Sequence, residues 1–214
     1  MKLTADQLLL YAVTDRSWTG KQTLYQQVES ALKGGVTIVQ LREKDMDEEQ
    51  FLKEAIQIKA LCRQYGVPLI INDRVDIALK SGADGVHVGI EDQPVAQIRQ
   101  MTGKNFLIGA TAKTVEQAQK AQQDGADYLG VGAVFPSPTK KNAIRITPQK
   151  LQEIVASVSI PAVAIGGINQ DNLSELQGSS IAGAALVSAI FSADDIESRC
   201  RELKTKLRQM IPSE

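Results

Sequence analysis

The sequence repeats one pattern eight times: a short apolar run rich in valine, isoleucine and glycine, set off by amphipathic stretches with helical spacing. We predict a strand at each run, that is at residues 8–15, 37–44, 68–73, 85–89, 107–112, 128–135, 162–167 and 184–190. Two clear helical patterns lie at about residues 47–65 and 193–208. Strands that alternate with helices in this way form a parallel sheet.

Two architectures accommodate such a series. An open, doubly wound sheet normally carries a glycine-rich phosphate loop after its first strand, but here the first run ends Val13-Thr14-Asp15-Arg16. A closed barrel would need eight units of about 27 residues each, which is near the lower end of its range. The sequence shows no composition break and no linker. We therefore predict an α/β fold, a (β/α)8 TIM barrel with a parallel eight-stranded sheet, as a single domain over residues 1–214.

Composition excludes several classes of protein. Lys and Arg number 24 against 25 Asp and Glu, a net charge of −1, so the chain is not a polybasic nucleic-acid binder. No apolar run approaches the roughly 20 residues that span a bilayer, and the first residues do not resemble a signal peptide, so we predict a cytoplasmic protein with no membrane partner. Cys62 and Cys200 form neither a disulfide framework nor a CxxC metal motif. Helical spacing predicts that Cys62 is a core residue.

Polar side chains at the ends of the runs are the candidates for function, because a barrel carries its functional groups at the carboxyl ends of its strands. Side chains alternate between the two faces of a strand, so in the second run Gln40, Arg42 and Lys44 share one face, while Val39 and Leu41 share the other. Buried cations need anionic partners, so this face predicts an anionic ligand. The alternative is an ion-paired structural ladder in which Glu43 or Asp45 supplies the negative charge.

Two carboxylates follow neighbouring runs, namely Asp73, directly after Asn72, and Asp92. In proteins, Mg²⁺ takes one or two carboxylates together with phosphate oxygens of a substrate, so this pair is a candidate magnesium site. As an alternative, each carboxylate caps a helix, with Asp92 at a helix that begins near Pro94. The one histidine, His87, has no second His or Cys nearby. We predict an interior residue there rather than a zinc ligand or a catalytic base.

Hydroxyl, ammonium and backbone donors follow the last three runs. Ser137, Thr139 and Lys140 follow the sixth run. A pair of glycines that ends in Gly167 closes the seventh run, and Ser188 lies near the end of the eighth. These donor types hold phosphate oxygens, and the loops after strands 7 and 8 often form the phosphate site of such barrels. This region therefore predicts a monophosphate, whereas the cations and carboxylates predict a diphosphate. The residues do not identify the organic part of either ligand.

At these positions the sequence closely resembles the thiamine-phosphate synthase family, over nearly the whole chain. The motifs that carry the resemblance are Tyr11-Ala12-Val13-Thr14-Asp15, Gln40-Leu41-Arg42-Glu43-Lys44, Asn72-Asp73, Val86-His87-Val88-Gly89 leading to Glu91-Asp92, and Phe135-Pro136-Ser137-Pro138-Thr139-Lys140. The resemblance implies a barrel-shaped transferase of thiamine biosynthesis. Its reaction would join hydroxymethylpyrimidine diphosphate to hydroxyethylthiazole phosphate and release pyrophosphate.

The resemblance also implies three groups of site residues. The pyrimidine diphosphate would be held by Gln40, Leu41, Arg42, Glu43, Lys44, Asn72, Thr111 and Lys140. The cofactor Mg²⁺ would be bound by Asp73 and Asp92, and the thiazole phosphate by Ser137, Pro138, Thr139, Gly167, Val187 and Ser188. The catalytic residues would be Arg42, Lys44 and Lys140, which would stabilise the departing pyrophosphate.

The sequence departs from the family pattern at three places. Thr111 stands where the family usually has serine, Ser137 stands where threonine is common, and residues 180–183 replace a Gly-Ala-Asp-Gly turn. The first two changes keep the hydroxyl, and the third concerns the geometry near Ser188 rather than the reaction.

Two other functions remain as alternatives. A thiazole tautomerase of the same superfamily uses a histidine after strand 5, where this chain has Lys113. A non-catalytic, regulatory phosphate-binding barrel would need the phosphate donors without two metal carboxylates. The predicted partners are small-molecule substrates, and the sequence is compatible with a homo-oligomer without indicating one.

Overall fold

Eight parallel strands close into a barrel in the computed structural model, which describes residues 3–20, 22–136 and 144–211. The strands are β1 (Leu10–Val13), β2 (Ile38–Leu41), β3 (Leu69–Asn72), β4 (Gly85–Val88), β5 (Leu107–Ala112), β6 (Tyr128–Gly132), β7 (Ala162–Ile165) and β8 (Gly183–Leu186). Each strand pairs with the next one along the chain, and β8 pairs with β1. The predicted TIM barrel is therefore confirmed.

Helices surround this barrel. They are α1 (Ala5–Leu8), α2 (Leu24–Lys33), α3 (Glu48–Gln64), α4 (Val75–Ser81), α5 (Val95–Thr102), α6 (Val115–Gln123), α7 (Pro148–Ala156), α8 (Ser188–Phe191) and α9 (Ile196–Met210). Several begin after a side chain that accepts a backbone N–H of the first turn, as Asp47 does for α3, Thr114 for α6 and Thr147 for α7. The helices predicted at 47–65 and 193–208 are observed as α3 and α9.

Apolar residues form two separate cores. Leu41 belongs to the larger core, which lies between the sheet and the helices and also holds Cys62 and Cys200. Ile38 and Leu107 belong to the smaller core inside the barrel. Side chains that alternate along each strand divide the residues between the two cores. The prediction that Cys62 is a core residue is confirmed.

Most strands are shorter than the predicted runs, chiefly at their carboxyl ends. β2 ends at Leu41, so Arg42 and Lys44 lie in the loop above the sheet. The eighth run, predicted as a strand up to residue 190, leaves the extended conformation after Leu186, and α8 begins at Ser188. The loops at this end of the barrel form what we call the mouth, where polar residues of the runs gather. In the part of the chain that the structure describes, no helix has the length and hydropathy to cross a membrane.

Candidate active site

Arg42 is held at the mouth by two contacts with the segment after β1. Its guanidinium Nη1 donates to Asp15 Oδ2 at 2.9 Å, and its backbone N–H donates to the hydroxyl of Thr14 at 3.0 Å. Asp15 is buried and also accepts a hydrogen bond from the backbone N–H of Ser17. These contacts fix the direction of the guanidinium, and 25% of the Arg42 side chain stays exposed to a ligand.

Lys44, Asp73 and Asp92 form a second charged group at the mouth. Lys44 Nζ donates to Asp73 Oδ2 at 2.6 Å, and the backbone N–H of Gly89 donates to Asp92 Oδ2 at 2.7 Å. Burial raises the pKa of Asp92 above its ordinary value, and the neighbouring carboxylate of Asp73 raises this pKa further. The two carboxylates therefore lie close enough to repel each other, and a bound divalent cation would relieve that repulsion.

Neither carboxylate caps a helix. α4 begins after Arg74 and α5 begins after Pro94, and no side chain accepts a capping hydrogen bond at either start. The alternative that Asp73 and Asp92 are helix caps is therefore wrong. Asp73 also has a φ of 61°, in the left-handed region that Asp adopts more readily than most residues.

The ion pairs at the mouth link different loops. The ladder alternative required Glu43 or Asp45, next to the cations in sequence, to supply the negative charge for Arg42 and Lys44. The observed carboxylate partners come instead from the loops after β1 and β3, so that alternative is wrong. Pairing between loops holds both cations where an anionic ligand would meet them.

Glu43 contacts a different cation. Its Oε2 accepts a hydrogen bond from Arg16 Nε at 2.8 Å, and Arg16 also binds Glu54 at 2.6 Å. Only 4% of the Glu43 side chain is exposed, and its Oε1 has no hydrogen-bond partner among the described residues. Burial raises the pKa of Glu43 to about 7. Glu43 thus ties the loop after β2 to the segment after β1. Its buried carboxylate, bound to Arg16, is poorly placed to contact an anionic substrate.

Inside the barrel, polar side chains form a hydrogen-bonded series that we call the interior chain. Gln40 Nε2 donates to the hydroxyl of Tyr11 at 2.7 Å, and the hydroxyls of Tyr11 and Tyr128 are 2.7 Å apart. His87 Nδ1 lies 3.2 Å from the Tyr128 hydroxyl, and His87 Nε2 lies 3.1 Å from the Thr111 hydroxyl. Burial lowers the pKa of His87 to about 4, so the imidazole is neutral at neutral pH. The predicted interior histidine is confirmed.

Two further predicted residues differ in what they can offer a ligand. Asn72 ends β3 in register with His87 on β4, so it lies at the level of the interior chain. Leu41 packs its side chain into the core between sheet and helices, which leaves only its backbone for a contact at the mouth.

The loops after β7 and β8 contain glycines and small residues. Gly166 and Gly167 have φ values of 99° and 66°, a conformation that residues with a Cβ rarely adopt. A Cβ at Gly167 would lie 2.1 Å from the carbonyl oxygen of Pro136. Val187 and Ser188 follow β8, and Ser188 is the first residue of α8. Turns of this kind let a ligand approach backbone N–H groups.

The structure does not describe four of the predicted site residues. Ser137, Pro138, Thr139 and Lys140 lie outside the described residues, and their roles stay predictions. Within residues 3–20, 22–136 and 144–211, no group of three or more His, Cys, Asp and Glu side chains is placed to hold a metal ion. Two carboxylates are nevertheless the donor set that fits Mg²⁺, because this ion takes its other oxygen ligands from water and substrate phosphates.

Three residues of the site had no predicted role: Asp15, Tyr11 and Tyr128. Asp15 ends the first run as Asp73 ends the third, and this parallel was a usable signal. Tyrosine within a run of small aliphatic residues also signals an interior hydroxyl, because a buried hydroxyl needs a partner. The identity of that partner depends on contacts across the barrel, which a run of residues does not reveal.

Comparison with known proteins gives the family. Residues 10–190 match the family described as thiamine monophosphate synthase. The thiamine-phosphate synthase of Clostridium botulinum is 45% identical over 201 residues, 94% of each chain, and that of Ruminiclostridium cellulolyticum is 49% identical over 194 residues, 91% of this chain and 92% of the relative. The solved structure of a thiamine phosphate pyrophosphorylase from Pyrococcus furiosus matches with a TM-score of 0.89 at 37% identity, over 96% of this chain and 98% of the other. The chain therefore belongs to the thiamine monophosphate synthase family.

Proposed function

We propose that this chain makes thiamine phosphate by joining hydroxymethylpyrimidine diphosphate to hydroxyethylthiazole phosphate, with release of pyrophosphate. The observation that carries the proposal is the mouth of the barrel, where the cations Arg42 and Lys44 pair with carboxylates of neighbouring loops and where Asp92 neighbours Asp73. A diphosphate with its magnesium ion supplies the charges that such a site needs. The 45% identity to a thiamine-phosphate synthase over 94% of the chain supports the same reaction.

In this proposal the pyrimidine diphosphate binds at the mouth and in the upper part of the barrel. Arg42, Lys44 and Lys140 contact the diphosphate, and Mg²⁺ is held by Asp73 and Asp92. The remaining contacts come from Gln40, Asn72 and Thr111, and from the backbone of Leu41 and Glu43.

The thiazole phosphate binds at the other side of the mouth. Its phosphate accepts hydrogen bonds from backbone N–H groups at Gly167, Val187 and Ser188, and from the segment Ser137-Pro138-Thr139. The close approach of Gly167 to the carbonyl oxygen of Pro136 supports this assignment, because it brings the turn next to the residue that precedes Ser137.

The first chemical step breaks the bond between the methylene carbon of the pyrimidine and the diphosphate oxygen, and the bonding electrons leave with pyrophosphate. The aminopyrimidine ring delocalises the positive charge that remains on the methylene carbon. Arg42, Lys44 and Lys140 stabilise the negative charge on the leaving group, and preorganised contacts of this kind are often the largest contribution to catalysis. When bound, Mg²⁺ would supply additional charge stabilisation as a Lewis acid.

In the second step the thiazole nitrogen donates its lone pair to the methylene carbon. No proton has to be removed, so the site needs no general base. His87 is consistent with this, since it is neutral and hydrogen-bonded at both ring nitrogens. The protein's contribution is to hold the nitrogen in line with the carbon through the thiazole phosphate.

The test is a coupling assay with the purified chain, both substrates and Mg²⁺. We expect thiamine phosphate and pyrophosphate in equal amounts, and no product when either substrate is left out. Binding of both substrates without turnover would instead indicate a passive phosphate-binding barrel, and isomerisation of the thiazole alone would indicate a tautomerase. Either of these results would overturn the proposal.

A second assay tests the cationic first step. An electron-withdrawing substituent on the pyrimidine destabilises positive charge on the methylene carbon, so it should slow coupling sharply. The measurement is the single-turnover rate with the substituted and the natural substrate. Equal rates would show that no positive charge develops.

A further inference from the structure

We infer that the interior chain has a single direction, with protons donated from Gln40 through Tyr11, Tyr128 and His87 to Thr111, and that the three middle residues are positioning residues for the two at the ends. The inference deepens the proposed function, on which it rests for the roles of Gln40 and Thr111. Tyr11 and Tyr128 are buried, at 1% and 0% exposure, and His87 is buried at 7%. The polar atoms of these three side chains must therefore find their hydrogen-bond partners within the interior chain.

The direction follows from the donors and acceptors at each link. Gln40 presents Nε2, which can only donate, so the Tyr11 oxygen accepts and its own proton goes to Tyr128. Tyr128 then donates its proton to His87 Nδ1. A neutral imidazole carries one proton, which must lie on Nε2, and this N–H donates to the Thr111 oxygen.

With Gln40 oriented as observed, Nε2 towards Tyr11, the opposite direction leaves a buried group unsatisfied. If Tyr128 donated to Tyr11, the Tyr11 oxygen would accept from Tyr128 and from Gln40, and its own proton would have no acceptor. A buried donor without a partner costs about 1–3 kcal/mol. A doubly protonated His87 ring fails in the same way, because its Nδ1–H would donate to Tyr128, which already accepts from Tyr11, and the Tyr128 proton would have no acceptor.

Two glycines on the neighbouring strands β5 and β6 make room for side chains of the interior chain. A Cβ at Gly109 would lie 2.4 Å from His87 Nδ1 and 2.4 Å from the Tyr128 hydroxyl oxygen. A Cβ at Gly130 would lie 2.9 Å from His87 Cε1. Any larger residue at Gly109 would occupy the space of the Tyr128–His87 link. The inner wall of the barrel therefore accommodates this link specifically, beyond what a filled apolar interior requires.

The direction of the hydrogen bonds affects the site through Gln40 and Thr111, the two ends of the interior chain. Because the Thr111 oxygen accepts from His87, the Thr111 proton is free to be donated towards the mouth, where the proposed diphosphate accepts it. At the other end Gln40 uses Nε2 inside the chain and keeps Oε1 as an acceptor. The observed direction thus sets a donor at Thr111 and an acceptor at Gln40.

The single histidine makes the direction measurable. In ¹⁵N-labelled protein, the two imidazole nitrogens of His87 give one pair of signals, and their shifts show which nitrogen carries the proton. In the protein without substrates, we expect Nε2 of His87 to be protonated and Nδ1 to be unprotonated. A proton on Nδ1 would overturn the inference. This readout needs no turnover, so it stays valid even if the coupling assay shows no activity.

Tyr128→Phe tests the positioning role. The change removes the donor to Nδ1, so we expect a mixture of imidazole tautomers and a KM for the pyrimidine diphosphate raised about ten-fold. The KM for the thiazole phosphate should not change. The matched control is Tyr65→Phe, at a tyrosine that is 38% exposed on the helix side of the barrel. An unchanged tautomer together with an unchanged KM in Tyr128→Phe would also overturn the inference.

If Tyr128→Phe does not fold, Thr111→Val gives the same information from the other end. Valine keeps the shape of threonine but removes the acceptor of the Nε2–H, so the Nε2 signal should move towards that of a free N–H while Nδ1 stays bare. If the Nδ1 signal moved instead, the proton would run in the opposite direction.

Discussion

The inside of the barrel and its mouth are both polar, but they hold their polar groups in different ways. In the interior chain, Tyr11, Tyr128 and His87 are buried, uncharged and hydrogen-bonded to one another. At the mouth, Arg42 and Lys44 are charged, paired with carboxylates, and 25% and 49% exposed. These three side chains satisfy their hydrogen-bonding groups through residues of the interior chain alone. Exposed ion pairs stabilise a protein by only about 0–1 kcal/mol, so the more exposed pair of Lys44 and Asp73 is easily exchanged for the charges of a ligand.

This comparison suggests how the mouth changes when substrate binds. Lys44 is paired with Asp73 at 2.6 Å, and Asp73 is also a proposed ligand of Mg²⁺. A divalent cation at Asp73 and Asp92 would compete with Lys44 for the carboxylate and leave the ammonium for the diphosphate.

At the mouth, Asp73→Asn and Asp92→Asn should each lower the coupling rate at the wild-type Mg²⁺ concentration by about 10³-fold, the upper end of the range for lost electrostatic contacts. Asparagine keeps the shape but removes the negative charge, so more Mg²⁺ should restore part of the rate. A Mg²⁺ titration of the rate, with melting curves, measures both effects.

Asp47→Asn is the matched control for these variants. Asp47 caps α3, where asparagine is about as good as aspartate, so its rate and Mg²⁺ requirement should stay those of the wild type. Full activity of both mouth variants at the wild-type Mg²⁺ optimum would contradict the metal site.

In the interior, neutral His87 should make the free energy of unfolding fall as the pH is lowered from about 6.5 to about 4. The unfolded chain binds a proton at the ordinary pKa, whereas burial lowers the folded pKa to about 4, so the unfolded state is favoured on acidification. The contribution reaches about 3 kcal/mol at the acid end.

Denaturant unfolding at several pH values, for the wild type and for His87→Gln, isolates this contribution from that of the carboxylates. The pH dependence of the variant should be weaker between pH 4 and 6.5 by about that amount. Parallel curves would mean that His87 is not held neutral.

Lys140→Ala should lower the coupling rate by about 10²-fold, because it removes one contact to the departing pyrophosphate. Lys141→Ala, at the neighbouring position, should have much less effect. Steady-state kinetics of both variants measures the difference, and equal losses would show that Lys140 is not the specific contact.

A further effect on stability, of opposite sign to that of His87, should come from Glu43 at the edge of the mouth. Burial raises the pKa of Glu43 from 4.5 to about 7, so the folded state binds more protons than the unfolded state between these values. Its contribution should therefore make the free energy of unfolding fall as the pH rises from about 4.5 to about 7, opposite in sign to that of His87. Unfolding curves for Glu43→Gln should lack this slope, while those for the exposed Glu49→Gln should keep it.

The sequence predicts the barrel and the mouth better than it predicts the interior. Arg42, Asp73 and Asp92 lie at or just after the carboxyl ends of their runs. Because parallel strands bring these ends to one side, their gathering follows from the fold alone. The alternation of side chains along the second run likewise predicts the face on which Gln40 lies. It requires no knowledge of which residues touch.

The partners in the barrel could not be predicted in this way. Arg42 pairs with Asp15, and Tyr128 links Tyr11 to His87, because of the stagger of the strands and the widths of neighbouring residues. Gly109, for example, leaves space that a neighbouring ring fills. Such contacts depend on atomic dimensions across several strands, which no local pattern of residues contains.

The pairing of β8 with β1 has a consequence for how the chain folds as it is made. Leu10 pairs with Ala184, and at a synthesis rate of about 5–20 residues per second the second partner emerges on the order of ten seconds after the first. Throughout that interval β1, with the sequence Leu-Tyr-Ala-Val, has an apolar edge with unsatisfied backbone groups, which is a template for aggregation. The yield of folded protein in a cell should therefore depend on how well chaperones cover this edge until the eighth strand arrives.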